Sequence, residues 1–182
     1  MSLSLQQAQT LKAYIEADPV LSQYPNNSDG YQEVAKALNA LASPNYYVWS
    51  SHVSREAIYN SVGDGNSTWD WALYKAQSVT EQGAWREIFM NDAANFGQLN
   101  VRVGVGKIFS GTAPQNAQRD HILSIGRRLA TLVEKLLAIA VTSPPANSGN
   151  NAAHARGATT NPDVLGFEEQ IHYTDIEFIK SS

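Results

Sequence analysis

Residues 113–141 carry the longest periodic run of the chain, and no other feature constrains the fold as much. Ile122, Ile125, Leu129, Leu132, Leu136 and Ile139 follow one another in steps of three and four. That spacing keeps one apolar stripe on one side of a helix. Thr112 and Gln115 stand at capping-box spacing, and Pro114 sits in the first turn, where its missing N–H does no harm. Ser143-Pro144-Pro145 stops the run. The pattern predicts one helix from Ala113 to Val141, roughly 45 Å long. A rod of that length predicts a mainly α fold: an elongated helical bundle with one long C-terminal helix, followed by an extended C-terminal arm. It favours a scaffold over an enclosed active-site pocket.

The rest of the body reads as shorter helices. Ser4–Ala17 places Leu5, Ala8, Leu11 and Ile15 on one face, and Asp18-Pro19 ends it. A second helix starts near Ser28 or Asp29, with Asp29 and Gln32 as capping partners, and should pair with the first as an antiparallel hairpin. Asn45–His52 reads as a short strand or an extended connector. Ser54, Ser67 and Thr80 are expected helix caps, and Gly63–Asn66 is a turn. Gln98–Phe109 fits strand and helix patterns, and a helix is favoured because a lone strand needs a partner. Residues 1–142 are thus the expected helical body.

After Val141 the character changes. Residues 143–163 are rich in Asn, Ala, Gly, Ser, Thr and Pro without an apolar period and read as a flexible linker. Residues 164–182 regain apolar side chains, so they read as a docking arm. Leu165, Phe167, Ile171, Tyr173, Ile176 and Phe178 are its expected partner-binding anchors. The arm is expected to dock as a strand or as a helical turn, on its own body or on a neighbour. Arg127, Arg128 and Lys135 form a modest basic stripe, a candidate subunit interface.

Charge narrows the partners. Up to residue 142 there are 11 Lys/Arg and 12 Asp/Glu, and beyond it 2 and 5, so the net charge of −4 sits mostly in the tail. That balance argues against direct, sequence-specific nucleic-acid binding, which needs a basic surface. The absence of cysteine excludes disulfides and thiolate metal sites. No signal peptide or membrane-spanning run is read, and the two glycosylation sequons, at Asn26 and Asn66, are best read as turn and cap residues.

No reaction is written in the chain. Gly104-Val105-Gly106-Lys107 lacks the remaining glycine and hydroxyl residue of a phosphate loop. His52, His121, His154 and His172 are scattered, and Asp120-His121 adjoins no nucleophile elbow. Glu168-Glu169 lie on the arm, where carboxylates are not held for acid–base work. Trp69, Trp71 and Trp85 have no basic interleaving and read as core or interface anchors. The expectation is a non-enzyme without cofactor or metal.

An ordered set of short motifs adds to this. They are Pro25-Asn26-Asn27-Ser28-Asp29-Gly30, Ala42-Ser43-Pro44 leading to Val48-Trp49, Ser67-Thr68-Trp69-Asp70-Trp71, and Ala84-Trp85-Arg86-Glu87 with Phe89. Ile108-Phe109-Ser110-Gly111, Glu134-Lys135-Leu136 and Leu165-Gly166-Phe167-Glu168 complete it. The series resembles tailed-bacteriophage structural proteins of the head and neck. The resemblance implies a virion protein made in the host cytoplasm: a head-to-tail connector or adaptor at the neck. Such a protein forms a homo-oligomeric ring, usually of about twelve copies, between the portal protein and tail or nozzle proteins. The alternative it leaves open is a decoration or assembly protein of the phage head.

Overall fold

The computed structural model describes residues 3–181. The fold is mainly α, as expected: half of the chain is helix and 9% strand. The helices are α1 (Leu5–Ala17), α2 (Ser28–Asn39), α3 (Arg55–Asn60), α4 (Trp71–Lys75), α5 (Val79–Ile88), α6 (Leu99–Ile108), α7 (Ala113–Ile125), α8 (Leu132–Leu136) and α9 (Tyr173–Ser181). The short strands are β1 (Tyr47–Trp49), β2 (Val53–Ser54), β3 (Ala93–Ala94) and β4 (Arg127–Leu129). No helix among the described residues is long and apolar enough to cross a membrane.

Contacts divide the chain into two compact units, neither of them one stretch of sequence. Unit 1 takes the residues up to Tyr46, Leu129–Ile139 and the residues from Leu165 on; unit 2 takes Tyr47–Arg128 and Ala140–Val164. This differs from the expected body, linker and arm.

Unit 1 is built from amphipathic helices around an aliphatic core. The Ser4 hydroxyl accepts from Gln7 N, and the Gln7 side chain accepts from Ser4 N, so a capping box starts α1. Ala8, Leu11 and Ile15 then recur on its buried face. The cap of α2 is Asn27, whose side chain accepts from Gly30 N at 3.0 Å, rather than the expected Asp29. Val34, Ala35 and Leu38 join the same core. The expected α1–α2 hairpin is not the main pairing: α9 packs on both helices, and α8 on both as well.

Unit 2 packs α3, α5, α6 and α7 around large aromatic side chains. β2 and β3 pair antiparallel, Val53 opposite Ala94. Gln98–Phe109 is a helix, α6, as favoured from the sequence. The caps of its helices shift from the expected ones: Asp70 rather than Ser67 opens α4, and Ser78, in a capping box with Glu81, opens α5 instead of Thr80.

The long helix is corrected. Residues 113–141 form α7, β4 and α8, not one rod. The capping box of Thr112 and Gln115 does start α7, but the helix ends at Gly126. A side chain there would run into the ring of buried Phe96, so the glycine lets that ring reach the backbone. β4 then pairs with β1. Thr131 and Glu134 make a fresh capping box that opens α8. The apolar period runs on across the break, yet it serves two cores: Ile122 belongs to that of unit 2, while Val133 and Leu137 belong to that of unit 1.

Candidate functional site

The expected arm is folded onto its own chain. Phe167, Ile171 and Ile176 are buried in the core of unit 1 together with Ile179, and each such side chain contributes roughly 2 kcal/mol. The Asn39 side chain holds Ile171 from both sides, donating to its carbonyl at 2.7 Å and accepting from its N–H at 2.9 Å. Gln7 donates to Gly166 O at 2.8 Å. Leu165 is half-buried, and Tyr173 and Phe178 keep exposed surface. The loose docking arm is therefore corrected: its apolar residues are those that complete unit 1.

The expected basic stripe is also redistributed. Arg127 and Arg128 lie on β4 and Lys135 on α8, so they share no helix face. Arg127 pairs with Asp64, and the Lys135 ammonium lies 5.7 Å from the Tyr46 ring centre. The expected linker, residues 143–163, is hydrogen-bonded rather than loose. Asn150 accepts from the Trp49 indole at 3.0 Å and donates to Asn161 and to Pro162 O. Asp163, 1% exposed, pairs with Arg156 at 2.6 Å.

Two polar side chains buried in unit 2 anchor this segment and its neighbours. Arg102 donates to Ser148 O at 3.1 Å, to Gly97 O at 3.0 Å and to Phe96 O, and its guanidinium lies 4.7 Å from the Trp49 ring. Burial lowers its pKa to about 10. His121 Nε2 faces Ile58 O at 2.9 Å; a carbonyl only accepts, so this nitrogen carries the proton. Nδ1 is then the acceptor for the Ser67 hydroxyl at 3.2 Å.

Ser67 and His121 line a cleft of about 990 Å³ with Asp64, Arg119 and Arg127. The pair resembles a nucleophile and its base, but its surroundings point to a clamp on the 63–67 turn. The Gly63 N–H donates to Ser67 O and the Asp64 N–H to Ser124 Oγ, so neither is free to donate to an oxyanion. Asp64 is tied to Arg127 and Asp120 to Arg119, not to His121. Among the described residues no cluster of His and carboxylate side chains could hold a metal ion.

The most unusual chemistry lies beside that turn, in Ser67-Thr68-Trp69-Asp70-Trp71. Asp70 accepts from Ala72 N and Leu73 N and starts α4, and its own N–H donates to the Gln118 carbonyl oxygen at 2.9 Å. That bond fixes the amide of Gln118, on α7, with its NH₂ turned elsewhere. Trp69 stacks on Trp85 at 5.2 Å and meets Tyr59 at 4.7 Å. Trp85 donates its indole N–H to the Tyr59 hydroxyl at 3.1 Å, and burial pushes the Tyr59 phenol pKa up. The Trp69 indole N–H and the Gln118 NH₂ are buried without any acceptor. Each such orphan costs about 1–3 kcal/mol. Both residues line one groove of about 680 Å³, beside Trp71, which is 48% exposed.

Sequence reasoning found the aromatic motif and its anchoring role but missed Arg102, Gln118 and the orphan donors. Burial of a lone polar residue within an apolar helical period is the only trace such groups leave, and α6 shows it at Arg102. No protein-family model, curated protein or solved structure matches the chain.

Proposed function

We propose that this protein is a bacteriophage virion component, a head-to-tail adaptor that assembles as a ring between portal and tail. The observation that carries the reading is where the motifs behind the resemblance fall. Asn27 caps α2, Trp49 and Trp85 are fully buried, and Trp69 joins their core. Glu134 closes the capping box of α8, and Gly166 passes close to the Leu137 carbonyl, where a side chain would clash. The motifs thus sit at residues on which the fold depends, as expected if the likeness is one of fold. Exposed apolar side chains suit subunit contacts: Leu5, Leu41, Ile139 and Tyr173 in unit 1, and Val62, Trp71, Val79 and Met90 in unit 2. In this reading the contacts use these surfaces rather than a free arm, and no single rod is needed.

The test is copy number and position in purified particles, by quantitative mass spectrometry and electron cryomicroscopy. An adaptor ring gives about twelve copies on the particle axis beneath the portal. Copies spread over the shell in far larger number favour the head-decoration reading, and absence from particles overturns both.

A further inference from the structure

We infer that the cleft between α7 and the 143–153 segment binds a small ligand through a phosphate group. The inference concerns unit 2 alone and stands independently of the adaptor reading. Three observations carry it. First, the cleft measures about 990 Å³, room for a small molecule, and its outer wall is fixed in place. Arg102 donates to Ser148 O from beneath, and Asn150 donates to Asn161 and to Pro162 O. Gly106 on α6 leaves space for the Asn147 carbonyl, which a side chain there would strike. A wall held by such bonds is formed before any ligand arrives, so binding does not have to order it.

Second, the charges of the lining are placed unequally. The Arg119 and Arg127 side chains are 14% and 12% exposed, whereas their partners Asp120 and Asp64 are 65% and 67% exposed. Water screens the two carboxylates more than the two guanidinium groups, so the field inside the cleft is positive. Third, hydrogen-bond donors are left over on both sides. Arg127 gives only Nη2 to Asp64; its Nε and Nη1 have no protein acceptor among the described residues and are not sealed from solvent. Asn147 and Asn151 are exposed, and use their carbonyl oxygens to accept from Arg119 and from Ala153 N, which leaves their NH₂ groups for a ligand. Phosphate carries acceptor oxygens in several directions and pairs with a guanidinium through parallel bonds. Donors from two sides suit such a tetrahedral anion better than a planar carboxylate. An exposed carboxylate such as Asp64 holds its arginine weakly and gives way to it.

The experiment titrates the full chain with inorganic phosphate by isothermal titration calorimetry, with chloride holding the ionic strength constant. Saturable binding is expected. Arg127→Gln should weaken it about tenfold or more, with the circular dichroism spectrum unchanged. Asn151→Ala, at an exposed position, should weaken it about threefold. Asp64→Asn removes the competing carboxylate and should tighten binding about threefold; if Asp64 served only to hold Arg127 in place, the same change would weaken it. Lys36→Gln, an exposed substitution on α2 in unit 1, should leave affinity as it is. The inference is overturned if phosphate gives no saturable binding, if Arg127→Gln and Asn151→Ala both bind like the parent, or if Asp64→Asn weakens binding. It is also overturned if citrate binds and phosphate does not, since the site then takes carboxylates.

Discussion

The two units keep their cores in different ways. Unit 1 buries mostly Ala, Val, Leu and Ile on helix faces that repeat at the helical period, with Phe167 and Ile171 added from the segment before α9. Unit 2 buries Trp49, Trp85, Phe89, Phe96 and Phe109, and among them Arg102, Gln118 and His121, each tied to a distant stretch of chain. The aliphatic core needs only shape and patterning. The aromatic core needs in addition that each buried donor meet its acceptor, and at Trp69 and Gln118 that condition fails. The unit that carries the harder polar accounting also carries the groove.

That contrast can be broken experimentally, because all four tryptophans lie in unit 2. Tryptophan emission therefore reports on that unit alone. The largest effect is expected from Trp85→Ala, which removes the centre of the aromatic stack and the indole bond to Tyr59. It should cost about 4 kcal/mol in denaturant unfolding followed by the remaining tryptophans. A loss below about 1 kcal/mol would mean that the aromatic side chains are not packed as a core.

Ile176→Ala probes the other side. Ile176 is fully buried against α1 and α2, and its truncation should cost about 3 kcal/mol. Hydrogen exchange should rise in α1, α2 and α9, while native tryptophan emission stays put. If the tryptophan transition moves as far as the exchange data, the two cores melt as one and the contrast has no thermodynamic meaning.

The smallest effect sharpens unit 1. The N–H groups of Leu21 and Val20, each 2.9 Å from Asp18 Oδ1, hold the Asp18 carboxyl below its ordinary 3.8. A depressed native pKa stabilises the fold above 3.8 and loses that contribution as pH falls through the lower native value. Asp18→Asn should therefore be slightly less stable than the parent near neutral pH, and the two should converge at about pH 2 in urea unfolding. Parallel curves at both pH values would remove the carboxylate from the account.

These differences also explain what the sequence let one read. α1 and the capping box at Thr112 were legible because they are local, and in the box donor and acceptor stand three residues apart. The break at Gly126 left two local marks, the glycine itself and Thr131 with Glu134. Both were outweighed by an apolar period that continues across them. The docking of residues 165–181 was not legible, since its bonds join residues up to 159 positions apart. The groove was half legible: aromatic residues announce themselves in sequence, but the bond from Asp70 N to Gln118 on α7 joins residues 48 positions apart.

The Asn39–Ile171 clasp spans 132 positions, and it sets an order on biosynthesis. Ribosomes emit α1 and α2 early, but their shared apolar faces stay only partly covered, by α8, until Tyr173–Ser181 has emerged. Unit 2, whose sequence falls almost wholly between, is translated during that wait. A nascent or nonsense-terminated product lacking the final clasp would display an oily surface of the kind that chaperones and proteases recognise.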